Sequence, residues 1–175
     1  MVQSNYFAGL EMVLGHEGSF SDDVDDRGGA TMMGVTQKVY EEWMGREVTK
    51  DEMRAMPRDH VDQIYKDNYW DRIKGDSLPS GLDIAVFDFA INAGTGRSAK
   101  VLQSIIGAKE DGVIGSKTLE IVWQKSAKDI LSKFTKKRKE FYDAIVKNNP
   151  SQKKFIKGWT RRNKETHDLA KKMAV

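Results

Sequence analysis

The stretch FAGLEMVLGHEGSFSDDVDDRGGATMMGVT spans residues 7–36, and a change of pattern inside it sets the fold. Phe7, Leu10 and Leu14 recur at helical spacing, which predicts a first helix with one apolar face, ending near His16. From Glu17 the periodicity stops. Gly18, Gly28, Gly29 and Gly34 stand among Ser and Asp, the composition of an irregular segment with a small β-hairpin within residues 18–36.

Outward from this stretch the chain reads as helix almost throughout. Thr36 is placed to cap a helix running through Trp43. Thr49-Lys50-Asp51-Glu52 fits a capping box, in which the Thr and Glu side chains satisfy backbone N–H groups that a helix start leaves unpaired. Further helices are predicted over 58–69, 80–94, 97–106, 117–125 and 127–148, after which Pro150 stops the chain. A last helical stretch follows, with a break expected at Gly158. Strands are not legible outside 18–36. The expectation is a mainly α fold in two packed lobes, residues 1–95 and 96–175. They would divide at Gly94-Thr95-Gly96, a loop too short to act as a free tether.

Bulk properties narrow the function. The 175 residues suffice for a real core, and 31% are charged, which is ordinary for a globular chain. No apolar run approaches the roughly 18 residues that span a bilayer. The opening MVQSNYFAGLEMVLGHE lacks the basic and sustained apolar regions of a signal peptide, so none is expected. The chain has no cysteine, which removes disulfides and Cys-based zinc sites. Charge is polarised: residues 125–175 hold 16 Lys/Arg against 5 Asp/Glu, a net of +11, whereas residues 1–124 carry a net of −8. Such a tail is either a set of solvated helix faces or an attraction for a polyanion: nucleic acid, an anionic membrane, or a bacterial wall with its acidic polymers.

The densest chemistry is His16 to Thr36. A carboxylate half-buried at the end of an apolar helix is harder to ionise, so it can keep a proton near neutral pH and give it to a glycosidic oxygen. Glu17 holds that position. A second carboxylate must serve the opposite face of an oxocarbenium-like transition state. Asp26 lies nine residues on, across a glycine-bearing segment able to fold back. Thr31 or Thr36 would hold the attacking water. Taken singly, a Glu at a helix end is an ordinary solvated charge and the Asp cluster an ordinary polar loop. Calcium fits poorly, because Arg27 and Gly34 stand where an EF-hand loop from Asp23 needs ligands. A zincin motif begun at His16-Glu17 fails at Phe20, where the second His belongs.

These residues resemble a known family. HEGSFSDDVDDRGGATMMGVT is similar to the opening signature of glycoside hydrolase family 108, lysozyme-like N-acetylmuramidases of phage and prophage endolysins. Tyr69-Trp70 before Leu78-Pro79, the helix AVFDFAINAG at 85–94, Leu102-Gln103, DGVIGSKTL at 111–119 and FIKGWTRR at 155–162 extend the resemblance over roughly residues 8–165. The later motifs resemble a peptidoglycan-binding-type helical region. The resemblance implies a lysozyme-like fold, no metal or cofactor, and cleavage of the β-1,4 bond between N-acetylmuramic acid and N-acetylglucosamine, with Glu17 as general acid. The Glu–eight residues–Asp–Thr triad of phage lysozymes maps Glu17 and Asp26, but its Thr falls on Met32, flanked by Thr31 and Thr36. Ser19 also departs from the Gly common in the family.

Tyr69, Trp70 and Trp159 are candidates to stack on sugar rings, with core packing the rival role. Asp88 and Asn92 share a helix face at i, i+4, either lining a sugar groove or satisfying buried groups. The partners expected are peptidoglycan glycan strands, with the basic C-terminal region tethered to anionic wall or outer membrane. No nucleic acid is expected, and the protein should act as a monomer. A phage-type enzyme would be made in the host cytoplasm and reach the periplasm after holin-type release. Two rival readings use the same fold: a lytic transglycosylase, and a non-catalytic wall-binding or regulatory protein.

Overall fold

A computed structural model describes residues 5–23 and 29–174. Packing divides the chain into two units, one of Leu10–Asn68 and the other joining Met1–Gly9 to Tyr69–Val175.

In the unit Leu10–Asn68, helix α1 (Tyr6–His16) enters from the other unit and ends where its apolar spacing ends. Strands β1 (Phe20–Ser21), β2 (Thr31–Met32) and β3 (Val35–Thr36) follow as an antiparallel sheet in that order. The register pairs Ser21 with Thr31 and Thr31 with Thr36, and on the alternate positions Phe20 with Met32 and Met32 with Val35. Helices α2 (Gln37–Met44), α3 (Lys50–Arg54) and α4 (Arg58–Tyr65) complete the unit. Both predicted caps form. Thr36 accepts the Val39 N–H at 3.2 Å, and Thr49 and Glu52 exchange hydrogen bonds at 3.1 and 2.8 Å. Leu10, Val13, Val35, Met53, Val61 and Ile64 are buried as its core. The helix predicted over 58–69 instead widens at its end into a π-helical turn, Lys66–Trp70.

The second unit is built around α5 (Leu82–Ala93), buried at every residue from Leu82 to Ala90. It packs against α6 (Thr95–Ile106), α8 (Ala127–Asn148) and α9 (Ile156–Met173), with the short α7 (Ser116–Trp123) against α6. The predicted loop at Gly94-Thr95-Gly96 shrinks to Gly94 alone, because Thr95 and Gly96 already belong to α6. The expected break at Gly158 does not occur: the chain runs as a 3-10 turn over Pro150–Phe155 and then as unbroken α9. A glycine costs a helix only about 1 kcal/mol, and the buried Asn163, Thr166 and Ala170 of the same helix outweigh it.

Three i, i+4 pairs converge inside this unit. Asp88 on α5, wholly inaccessible, accepts from Arg162 Nε and Nη2 at 3.0 and 2.8 Å and from Thr166 at 3.0 Å. Arg138 Nη1 of α8 lies 2.6 Å from Oδ2, the oxygen that Thr166 also reaches, as an ion pair. Its Nε donates to Tyr142 at 2.8 Å, and the Tyr142 hydroxyl donates to Asn92 at 2.6 Å. Asp88 and Asn92 therefore do share a face, and it is turned to α8 and α9. Burial is the largest influence on the Asp88 carboxyl and acts to raise its pKa. The two guanidinium charges together outweigh it and hold the group below the ordinary aspartate range.

A carboxyl depressed in the folded state contributes stability above its unfolded pKa, and loses it as pH falls through the folded value. Asp88→Asn is expected to cost about 3–5 kcal/mol at neutral pH, because the buried Arg138 and the largely covered Arg162 lose their counter-charge. It should also flatten the part of the acid-side loss of stability that Asp88 supplies. Urea denaturation of both proteins from neutral pH to below the aspartate range measures each effect.

Candidate active site at the end of the first helix

Glu17 follows the last residue of α1 but keeps its helical bond, its N–H donating to Val13 O at 3.2 Å. Its side chain is thus aimed by a helix whose inner residues, Leu10 and Val13, are completely buried. The residue itself is half-buried.

What it packs against is the tip of the hairpin. Met33 and Gly34 form a two-residue turn between β2 and β3, with φ of +48° and +77°. Positive φ at both central positions is the hairpin geometry that suits strand twist and that glycine adopts without strain. Space demands the glycine as well. A Cβ on Gly34 would overlap the Tyr65 hydroxyl and stand 3.1 Å from both Cγ and Cδ of Glu17. The turn is pinned twice: the Tyr65 hydroxyl donates to Met33 O at 2.9 Å, and the Met33 N–H donates to Ser19 O at 3.3 Å. The acid, the bare backbone of Gly34 and the Tyr65 hydroxyl therefore meet at one point. Tyr65 escaped the sequence analysis because it sits among Val61 and Ile64 on an apolar helix face and reads as core, which its ring is.

The two threonines left as alternatives are cross-strand neighbours on one sheet face, in a row of hydroxyls with Ser21. Thr36 spends its oxygen on the cap of α2, whereas Thr31 is half-buried mid-row. Asp26 lies outside the described residues.

The residues proposed to bind sugar fare differently. Trp70 is fully buried, edge-on to Tyr6 and Phe87, with its indole N–H donating to Asp76 at 3.0 Å. No face of its ring is open to a sugar, so stacking there is replaced by core packing. Asp88 is likewise sealed in its ion cluster and lines no groove. Asn92 is exposed at the end of the same cluster. Trp159 is half-buried in an aromatic stack, 5.1 Å from Tyr142 and 5.9 Å from Phe155. Tyr69 is half-buried. The basic tail needs correction too. Arg138, grouped with the wall-facing cations by its sequence neighbours, is 1% exposed and neutralises Asp88 instead.

Known proteins bear on the whole chain. Residues 10–94 match the family described as Glycosyl hydrolase 108, and residues 97–164 match one described as a Predicted Peptidoglycan domain. A solved structure, that of Brucella abortus SagA, is 36% identical, covers 97% of this chain and 95% of its own, and superposes with a TM-score of 0.82. The lysozyme-like, mainly helical fold expected from the sequence agrees with this likeness. No curated protein matches the chain.

Gly34→Ala should lower stability by about 1–3 kcal/mol, from positive φ and overpacking combined. Gly18→Ala, where a Cβ meets nothing within 4 Å, should change it by less than about 0.5 kcal/mol. Chemical denaturation of the two variants beside the parent tests the asymmetry.

Proposed function

Starting from a chain that belongs to the glycosyl hydrolase 108 family and carries a peptidoglycan domain, hence a glycoside hydrolase acting on peptidoglycan, we propose that it is an N-acetylmuramidase with Glu17 as its catalytic acid. The bond cut is the β-1,4 link between N-acetylmuramic acid and N-acetylglucosamine. The observation that carries the reading is the placement of Glu17. Its carboxyl is aimed by a buried helix and held against a glycine whose bare Cα leaves no side chain beside it.

In this reading Glu17 protonates the leaving glycosidic oxygen as the bond to the anomeric carbon breaks. Positive charge develops on the sugar ring, and Asp26 stabilises it or orients the attacking water. The hydroxyl row on the sheet supplies the water's second contact, from Thr31 or from Thr36. A fixed acid matters because proton transfer depends steeply on the distance to the oxygen. A pinned hairpin tip restricts where the carboxyl can go. Deployment as a phage-type lysis enzyme, made in the host cytoplasm and released by a holin-type route to the periplasm, belongs to the same proposal and is supported by the family resemblance. Electrostatic attachment of the basic C-terminal region to the anionic wall belongs to it as well, through the exposed lysines rather than Arg138.

Glu17→Gln protein of unchanged fold should release reducing ends from purified sacculi at least about 100-fold more slowly. The parent's fragments should each carry one added water by mass spectrometry. Near-parental turnover by the variant removes Glu17 as the acid, and 1,6-anhydro products without added water would make the enzyme a lytic transglycosylase.

A further inference from the structure

We propose that a charged groove between α6 and α8 binds the peptide stems of peptidoglycan, through their carboxylate and ammonium groups. The proposal rests on the peptidoglycan reading above and adds which part of that polymer is held, and where.

The groove measures about 380 Å³ and is lined from α6 by Arg97 and Lys100 and from α8 by Lys137, Glu140 and Phe141. A second depression of the same volume shares Arg97 and Lys100 and continues past Asp111 and Gly112. All of these residues fall within the matched peptidoglycan domain.

Its far wall is built rather than incidental. Gln103, completely buried, donates to Asp111 at 2.8 Å, to Val113 O at 3.0 Å and to Thr118 at 3.2 Å, and accepts from the Gly112 N–H at 2.9 Å. One inaccessible amide thus fixes the loop that carries Asp111. Gly112 has φ of +80°, and a Cβ there would come within 3.3 Å of Gly96 O and 3.4 Å of Lys100 Cε, so the loop lies directly on α6. Hydrogen bonds from Gln103 and the Val113 N–H hold the Asp111 carboxyl below the ordinary range.

The charges lining the groove are not spent on one another. Among the described residues Arg97, Lys100, Lys137 and Glu140 enter no ion pair, although Lys139–Asp143 on α8 and Lys164–Asp168 on α9 pair at 2.7 and 2.6 Å. Arg97 is oriented by lying 4.9 Å over the Phe141 ring. Peptidoglycan presents two chemistries: neutral glycan rich in hydroxyls and amides, and peptides bearing carboxylates and, in their free state, ammonium groups. A glycan platform requires an open aromatic face. Phe141 has one face covered by Arg97 and receives Phe89 at 5.3 Å in an edge contact. Cations from both helices interspersed with the carboxylates of Glu110, Glu140 and Asp111 suit the zwitterionic peptide instead.

The test uses the full-length Glu17→Gln protein, so that no ligand is consumed, with calorimetric titration of three probes. These are a disaccharide tetrapeptide, the free tetrapeptide stem, and a neutral N-acetylglucosamine oligomer without lactyl carboxylates. The two peptide-bearing probes should bind alike, and Arg97→Gln with Lys100→Gln should weaken both at least tenfold while leaving the neutral oligomer unaffected. Arg72→Gln with Lys74→Gln, an equal charge change outside both the groove and the basic tail, should leave all three unchanged. Peptide affinity unaltered in the groove variant, equal loss in the distant control, or absence of binding by the free tetrapeptide would each overturn the proposal. Lytic activity of the Glu17→Gln protein is assayed separately. Activity there removes the assigned acid, and the peptide titrations still decide the groove.

Discussion

A carboxylate with no access to water anchors the larger unit. Isolated in a protein interior, the Asp88 charge would cost several kcal/mol in lost hydration, and only Arg138 and Arg162 within reach make it tolerable. Because those guanidinium groups come from different helices, the ion cluster fixes the rotation of α8 and α9 about α5 in a way that apolar contacts alone do not. A leucine on α5 would accept many neighbours, whereas this carboxylate takes Arg162 at one oxygen and the Arg138 charge at the other. The surplus positive charge is spread over aromatic faces, with Arg138 lying 5.3 Å from the Phe89 ring and 5.7 Å from that of Tyr142. Asp83, one turn earlier on α5, shows the contrast. Burial pushes its carboxyl up, and a neutral Asn5 with two backbone N–H groups only partly offsets that.

The sequence disclosed whatever depends on local rules. The end of α1 at His16, the hairpin after it, the Thr36 cap and the Thr49 capping box follow from side chains within four residues of one another. The position of Glu17 at the end of α1 was legible for the same reason, since the apolar spacing stops there. Asp88 and Asn92 were correctly placed on one face, yet nothing local told whether that face met sugar or protein. The deciding partners lie 50 and 74 residues away in Arg138 and Arg162. Trp70 and Trp159 look alike in composition, and tertiary packing alone separates the sealed ring from the half-open stack.

Tyr65 illustrates a second kind of illegibility. Its ring obeys the helical pattern and belongs to the core, while its hydroxyl reaches a backbone carbonyl 32 residues earlier. Patterning ranks a residue by where most of its surface goes, so a single polar atom at the tip of a buried aromatic escapes it. The glycine facing it carries complementary information. Gly34 reads as a turn residue from its neighbours, but its tighter constraint is the absence of any side chain between Tyr65 and Glu17.

The basic half of the chain shows why net charge is a poor proxy for binding. Of its cations, Arg138 and Arg162 answer a buried aspartate, and Lys139 and Lys164 are paired along their own helices. Exposed pairs of that kind contribute little to stability and present no net field to a ligand. What remains available to a partner is the subset left unpaired, and Lys137 lies in a groove whose other cations, Arg97 and Lys100, come from outside the basic tail altogether. A wall polymer dense in negative charge would be attracted by the tail as a whole at low salt and released as salt rises. A groove that offers both signs at fixed separation loses less with added salt, because its selectivity comes from the spacing of charges rather than their sum. That difference in salt response separates long-range attraction to the wall from recognition of one of its parts.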